Sequence, residues 1–160
     1  MTTTTAIIRP AKPDDTDTIM NLALSIGMFK GEELEELGAM LCGYFEGSLG
    51  EGHSWVVCDD NGVVGVGYFA PEEFADGVFN LYFIAVHPNS QGQGYGSTII
   101  NHIEKTLAEQ EIRLLLVETS GLPNFEMTRK FYRKQGYEEE ARIRDYYKPG
   151  DDKIIFRKAL

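Results

Sequence analysis

The sequence predicts an α+β domain: a mixed central sheet in which antiparallel hairpins flank one parallel strand-helix-strand crossover. Three observations carry that reading. Two strand-like runs are bridged by Asp59, Asp60, Asn61 and Gly62, a strong hairpin signal. Between Val78 and Val117 a long apolar strand, a helix and a wholly apolar run follow one another, as a parallel neighbour reached through a helix requires. The last stretch alternates around Pro149, Gly150, Asp151 and Asp152 as a second hairpin. A chain of 160 residues with no repeat, low-complexity tract or linker is expected to be one domain, 1–160.

After the polar run Thr2 to Thr5, Ala6 to Arg9 reads as a short strand ending at Pro10 and Pro13, because proline donates no ladder hydrogen bond and restricts the residue before it. Asp14, Asp15 and Thr16 offer N-cap oxygens to a helix whose apolar stripe is Ile19, Leu22, Ala23 and Ile26, closed by Gly27. A second helix, about Glu32 to Phe45, sets Leu34, Leu37, Leu41, Tyr44 and Phe45 on one stripe, with acids crowding the first turn where the helix dipole favours them. Ser54 to Cys58 and Val63 to Phe69 are the strands of the first hairpin. Val78 to His87 is the long apolar strand, stopped by Pro88, Asn89 and Ser90. A helix from Gly94 or Gly96 to about Gln110 carries Ile99, Ile100, Ile103 and Leu107 inward, and Leu114 to Val117 is the buried parallel strand. Gly121 and Pro123 precede a helix from about Asn124 to Gln135, stopped by Gly136; Tyr137 to Tyr147 and Lys153 to Leu160 form the last hairpin.

Charge narrows the partners. Fifteen Lys and Arg against 25 Asp and Glu give a net charge of -10, which speaks against a nucleic-acid partner and favours the approach of cationic small molecules or basic peptides. Only Cys42 and Cys58 occur, with no CxxC pair or His cluster, so both thiols are expected to be reduced and structural, and no metal is expected. The start MTTTTAIIRP shows no charged segment followed by an apolar one, and nowhere do about 18 apolar residues run uninterrupted. A cytoplasmic protein with no membrane partner is the expectation.

The segment HPNSQGQGYGSTIINHIEK sets Gly92, Gly94 and Gly96 between the end of an apolar strand and the start of a helix. Glycine admits positive φ and close backbone approach, so successive amides can converge on one anion, reinforced by the helix N-terminus. The segment reads as a pyrophosphate cradle, with a plain glycine-rich turn as the alternative. A P-loop is excluded because Ser97 follows Gly96 with no Lys between them. A dinucleotide fingerprint fits poorly, since five residues separate Val86 from Gly92 and its third glycine would fall on Ser97.

Gln91, Gly94 and Gly96 match the pattern Q/R-x-x-G-x-G/A after a strand ending Ile84 to Pro88, and in this the chain resembles the GNAT superfamily of acyl-CoA N-acyltransferases. The opening IIRPAKPDD looks like that family's first strand and helix, and FYRKQGY, Phe131 to Tyr137, is similar to its FYxxxGF/Y box, so the resemblance covers nearly the whole chain. It implies the GNAT fold, acetyl-CoA as acetyl-donor cosubstrate, and transfer to a primary amine by direct attack in a ternary complex. It also implies that backbone groups of Ile84, Ala85 and Val86 pair with the pantetheine arm, that the amides of Gln91, Gly92, Gln93, Gly94, Tyr95, Gly96 and Ser97 hold the pyrophosphate, and that Tyr132 lies by the thioester sulfur. The residue types suit this chemistry: an attacking amine must lose a proton, and a departing thiolate benefits from a donor. A tyrosine hydroxyl, with an unperturbed pKa of about 10, is protonated at neutral pH. Without the resemblance, Tyr132 reads as a core aromatic beside Phe131.

The chain departs from the family pattern where a base is expected. Many relatives carry a Glu on the strand before the loop or an LEV triplet on the next one; here the first strand offers Asn80 and Tyr82 and the second reads LVET. Glu118 is therefore the expected base, its alternative being a solvated strand end or a partner for Arg113. The family's Asn seven residues before the helix Tyr falls on Phe125, leaving Asn124 beside it as the candidate pantetheine contact. Arg129, Lys130, Arg133 and Lys134 form two basic rows that read as a solvated face, with the nucleotide phosphates as a lesser option. The ending ARIRDYYKPGDDKIIFRKAL resembles that of the bacterial enzymes that acetylate N-terminal amines of ribosomal proteins, with Tyr146 and Tyr147 as walls of an acceptor groove. The expected acceptor is a protein or peptide N-terminus or a small cationic amine. A non-catalytic acyl-CoA-binding regulatory module is the alternative, and both monomer and homodimer stay open.

Overall fold

A computed structural model describes residues 6–27 and 29–160; the Thr2 to Thr5 run lies outside them. In chain order the elements are β1 (Ile7–Pro10), α1 (Thr16–Ser25), α2 (Glu32–Glu46), β2 (Ser54–Asp59), β3 (Val63–Pro71), β4 (Val78–Val86), α3 (Tyr95–Glu109), β5 (Leu114–Ser120), α4 (Glu126–Lys134), β6 (Glu138–Lys148) and β7 (Asp151–Ala159). The strands follow the order β1-β2-β3-β4-β5-β7-β6. β4 and β5 run parallel, joined through α3, whereas β1 with β2, β2 with β3, β5 with β7 and β6 with β7 are antiparallel. This is the mixed sheet with one parallel crossover that the sequence predicts. Among the described residues no helix is long and apolar enough to cross a membrane.

The described residues gather into two compact units, those within 1–70 and 84–103 and those within 71–83 and 104–160. In the first, Asn61 and Gly62 take the positive φ angles, 55° and 128°, that a tight hairpin turn demands, and the Gly62 amide donates to Asp59 Oδ1 at 3.0 Å. The hairpin then pairs from Ser54↔Phe69 to Cys58↔Gly65. Two glycines on β3 let α3 lie against bare backbone. A Cβ at Gly65 would stand 2.8 Å from Ile99 Cδ1, and one at Gly67 would stand 3.2 Å from both Ile99 and Ile103. The fully buried stripe Ile99, Ile100 and Ile103 therefore packs closely on the strand, fixing the first turns of α3.

An ionic latch closes the same unit. The Arg9 guanidinium grips both oxygens of Asp15, at 2.8 and 3.1 Å, and reaches Asp59 at 3.2 Å, while the Lys12 amide donates to Asp15 Oδ2 at 2.8 Å. The Arg9 hydrogen bonds hold the Asp15 carboxyl below the usual carboxylate range despite burial. Asp15→Asn is expected to lower stability at pH 7 by about 2 kcal/mol. Because the folded-state carboxyl is depressed, this stabilisation is complete above the unfolded value of about 3.9 and disappears as pH falls through the folded value. Urea unfolding of both proteins at pH 7 and at about pH 2 checks it: the difference should be full at the first and smaller at the second.

In the second unit β5 is flanked by β4, from Val78↔Leu114 to Leu81↔Val117, and by β7, from Leu114↔Ala159 to Ser120↔Lys153. Leu81, Leu115, Val117, Ile154 and Phe156 are buried on one sheet face. Arg129 is not part of a solvated row. It is 7% exposed, donates to the carbonyls of Ser120 and Leu122 at 2.7 and 2.9 Å and pairs with Glu126 at 2.8 Å, while Lys130, Arg133 and Lys134 are exposed. Ser120 in turn hydrogen-bonds the buried Asp151 and accepts from the Leu122 amide. Arg129 thus clamps the exit of β5 to α4, one helical turn before Tyr132.

Both cysteines are free. Cys58 is buried, and burial with the nearby Asp60 and Asp59 pushes its thiol up to about 11, so it stays protonated at neutral pH. Cys42, expected to be structural, is instead exposed beside Glu46, whose charge raises its thiol as well.

Candidate active site

β4 outruns its parallel partner: the pairing with β5 ends at Leu81↔Val117, whereas β4 continues to Val86. Beyond it the chain turns sharply. The His87 amide donates to Val64 O at 2.8 Å, the Ser90 amide to His87 O at 2.8 Å, and the Asn89 amide to His87 Nδ1 at 3.1 Å. Gln91 Nε2 then reaches back to Val86 O at 3.2 Å. Gly92 and Gly94 sit at φ 79° and 88°, where L side chains are strained, and α3 begins at Tyr95. The Thr98 amide donates to the Gly94 carbonyl one turn back, at 3.0 Å, and the first amides of a helix have no acceptor within it. The Tyr95 hydroxyl donates to Asp60 in the β2–β3 turn, pinning the helix start. Two left-handed glycines leading into the N-terminus of a 15-residue helix, with Gln91 to Gly94 exposed, fit the pyrophosphate of a CoA thioester.

The second unit carries the titratable groups. Glu118 Oε2 lies 2.8 Å from Lys153 Nζ, and that ammonium lies 4.2 Å over the Tyr146 ring. Tyr146 meets Tyr147 edge-on at 5.0 Å. Burial pulls Lys153 down, but the hydrogen bond and charge of Glu118, with Tyr146, outweigh it and the ammonium titrates above its ordinary value. Burial and then Glu118 push Tyr147 up to about 12, and burial with Glu72, Glu118 and Glu73 raises Tyr82. All three groups keep their protons at neutral pH. Tyr132 is 4% exposed, its ring packed on Phe131, Tyr137 and Phe156 with centroids 5.3 to 5.9 Å away. Burial drives its hydroxyl well above the usual range.

A sequence model of the acetyltransferase (GNAT) domain matches residues 50–139, which contain the glycine loop, Glu118 and Tyr132. The chain belongs to the GNAT acetyltransferase family. No curated protein matches it. Among solved structures, a GNAT-family protein from Desulfovibrio desulfuricans is 29% identical, with a TM-score of 0.89 over 96% of this chain and 98% of that one. The ribosomal-protein-S18-alanine N-acetyltransferase from Escherichia coli shares the fold at 19% identity and a TM-score of 0.76, over 97% and 94% of the two chains. A Salmonella typhimurium protein solved with its cofactor acetyl-CoA shares it at 15% identity and a TM-score of 0.73, over 97% and 94%. The protein is an acetyl-CoA-dependent N-acetyltransferase.

Within this acetyltransferase, Ile84, Ala85 and Val86 form the end of β4 that β5 does not pair, and Gln91 to Ser97 form the loop and first helical turn. Asn124 is exposed in a 3-10 turn next to the buried Phe125. Asn80, at the β4 position considered for a base, is 4% exposed, and its Oδ1 has no hydrogen-bond partner among the described residues. Lys153 went unnoticed in the sequence, where it looks like one more alternating strand residue. Its meeting with Glu118 follows from the register Glu118↔Ile155 and Ser120↔Lys153, which puts Lys153 on the same face, one diagonal step away.

Proposed function

We propose that this GNAT enzyme acetylates a primary amine by direct attack, the acceptor being a protein or peptide N-terminus or a small cationic amine. Residues 1–160 form its single N-acetyltransferase domain, a reading supported by structural neighbours matched over nearly their whole length. Acetyl-CoA supplies an acetyl group activated as a thioester, whose sulfur leaves as a thiol. The amides of Gln91 to Ser97 hold the pyrophosphate, the backbone of Ile84 to Val86 takes the pantetheine arm as an added strand, and Asn124 contacts that arm. Glu118 accepts the proton of the amine, directly or through one water, and Tyr132 Oη gives a proton to the departing sulfur. The observation that carries the amine reading is the carboxylate of Glu118 set among Tyr82, Tyr146 and Tyr147, in a unit whose loop from Pro71 to Gly77 adds Glu72, Glu73 and Asp76. Negative charge and aromatic faces both favour a cation. Likeness to an alanine N-acetyltransferase supports the N-terminal branch.

Acetyl-CoA turnover with a mixture of peptides bearing free N-termini and small polyamines tests the proposal. Release of CoA should require an amine, and kcat/KM should fall as ionic strength rises from about 0.01 to 0.15 M, where the Debye length shrinks from about 30 to 8 Å. Replacing Glu72, Glu73 and Asp76 together by their amides should flatten that dependence. A preference for an alcohol or an anionic metabolite, or a slope that survives the triple change, rejects the acceptor assignment.

A further inference from the structure

We propose that Lys153 is a positioning residue for the proton transfer, acting through Glu118; this rests on the assignment of Glu118 as base. Fixing a lysine side chain costs rotamer entropy, yet Lys153 is 9% exposed and held on two sides, by Glu118 Oε2 at 2.8 Å and by the Tyr146 ring at 4.2 Å. The contact engages Oε2 and fixes the side chain. Oε1, the oxygen that Lys153 does not engage, is the one assigned to the proton.

The charges around Glu118 explain why a cation is needed there. Tyr82 on β4 feels Glu72, Glu73 and Glu118; Tyr147 on β6 feels Glu118, Tyr146 and Asp151; Arg157 lies opposite Leu116 on the same β5–β7 face. Among the described residues Lys153 is the one cation in contact with Glu118. Another negative charge among acids is disfavoured unless a cation offsets it. In the step itself the amine nitrogen forms the C–N bond with its lone pair, its proton passes to Glu118 Oε1, the C–S bond breaks, and the sulfur takes the Tyr132 proton. Exchange with water then restores both residues. Lys153 keeps all three of its protons throughout.

The test uses the amine that the wild-type enzyme turns over fastest from the mixture described above, with Lys153→Met, Lys153→Gln, Lys153→Arg, Glu118→Gln and the double variant Lys153→Met/Glu118→Gln. Lys153→Met, or Lys153→Gln if the first does not fold, should lower kcat/KM about tenfold. It should also displace the acidic limb of the pH profile toward neutral pH, with acetyl-CoA affinity by calorimetry unchanged. Lys153→Arg should recover most of the activity, and the double variant should be no worse than Glu118→Gln alone, because both changes act on one group. A wild-type profile in Lys153→Met and Lys153→Gln beside an impaired Glu118→Gln, or losses that multiply in the double variant, overturns the role of Lys153. An unaltered profile in Glu118→Gln overturns the base assignment and this inference with it, and absence of any amine turnover by the wild type overturns the proposed function first.

Discussion

Tyr132→Phe is expected to lower kcat by about 10² to 10⁴ while affinity for acetyl-CoA stays the same. The departing sulfur gains from a donor that is still protonated at working pH. Burial keeps the Tyr132 hydroxyl in that form across the neutral range. The substitution is clean because the ring contacts with Phe131, Tyr137 and Phe156 survive it. Because the packed ring is retained, the melting temperature should change little. Steady-state kinetics at saturating acetyl-CoA reads the effect. A loss under about threefold would return Tyr132 to a purely packing role.

Much of the fold is legible in the sequence because its signals are local. Asn61 and Gly62 carry the positive φ of the first hairpin in their residue types, and the Ile99, Ile100, Ile103, Leu107 stripe gives α3 its buried side. Boundaries move where a tertiary partner or a proline intervenes. β5 extends past the expected Val117 to Ser120, because Glu118, Thr119 and Ser120 pair with Ile155, Ile154 and Lys153 of β7. α4 starts at Glu126 and not at Asn124, because Pro123 to Phe125 close a 3-10 turn first.

The candidate site divides the same way. The loop is visible because left-handed positions at Gly92 and Gly94 demand glycine. Arg129 was hidden because its four-residue spacing from Arg133 suggests a solvated row, while its acceptors are carbonyls at the end of another element. Lys153 was hidden because its partner is 35 residues away in sequence, and only strand register brings the two charges to 2.8 Å.

Gly94→Val is expected to reduce affinity for acetyl-CoA by about 100-fold or more, since a β-branched residue is a strong outlier at positive φ and must pull the loop out of shape. Gly94 stands at φ 88° with open space around a Cβ, so backbone conformation and not packing is what the change attacks. Its carbonyl also receives the Thr98 amide and hydroxyl, so the first turn of α3 shifts with it. The most direct measurement is calorimetric titration of the wild type and Gly94→Val with acetyl-CoA and with S-acetylpantetheine, which carries the thioester arm but no pyrophosphate. The pyrophosphate cradle predicts that the variant loses its affinity for acetyl-CoA while binding S-acetylpantetheine as weakly as the wild type does. A folded variant with undiminished acetyl-CoA affinity, or an equal loss for both ligands, would contradict it.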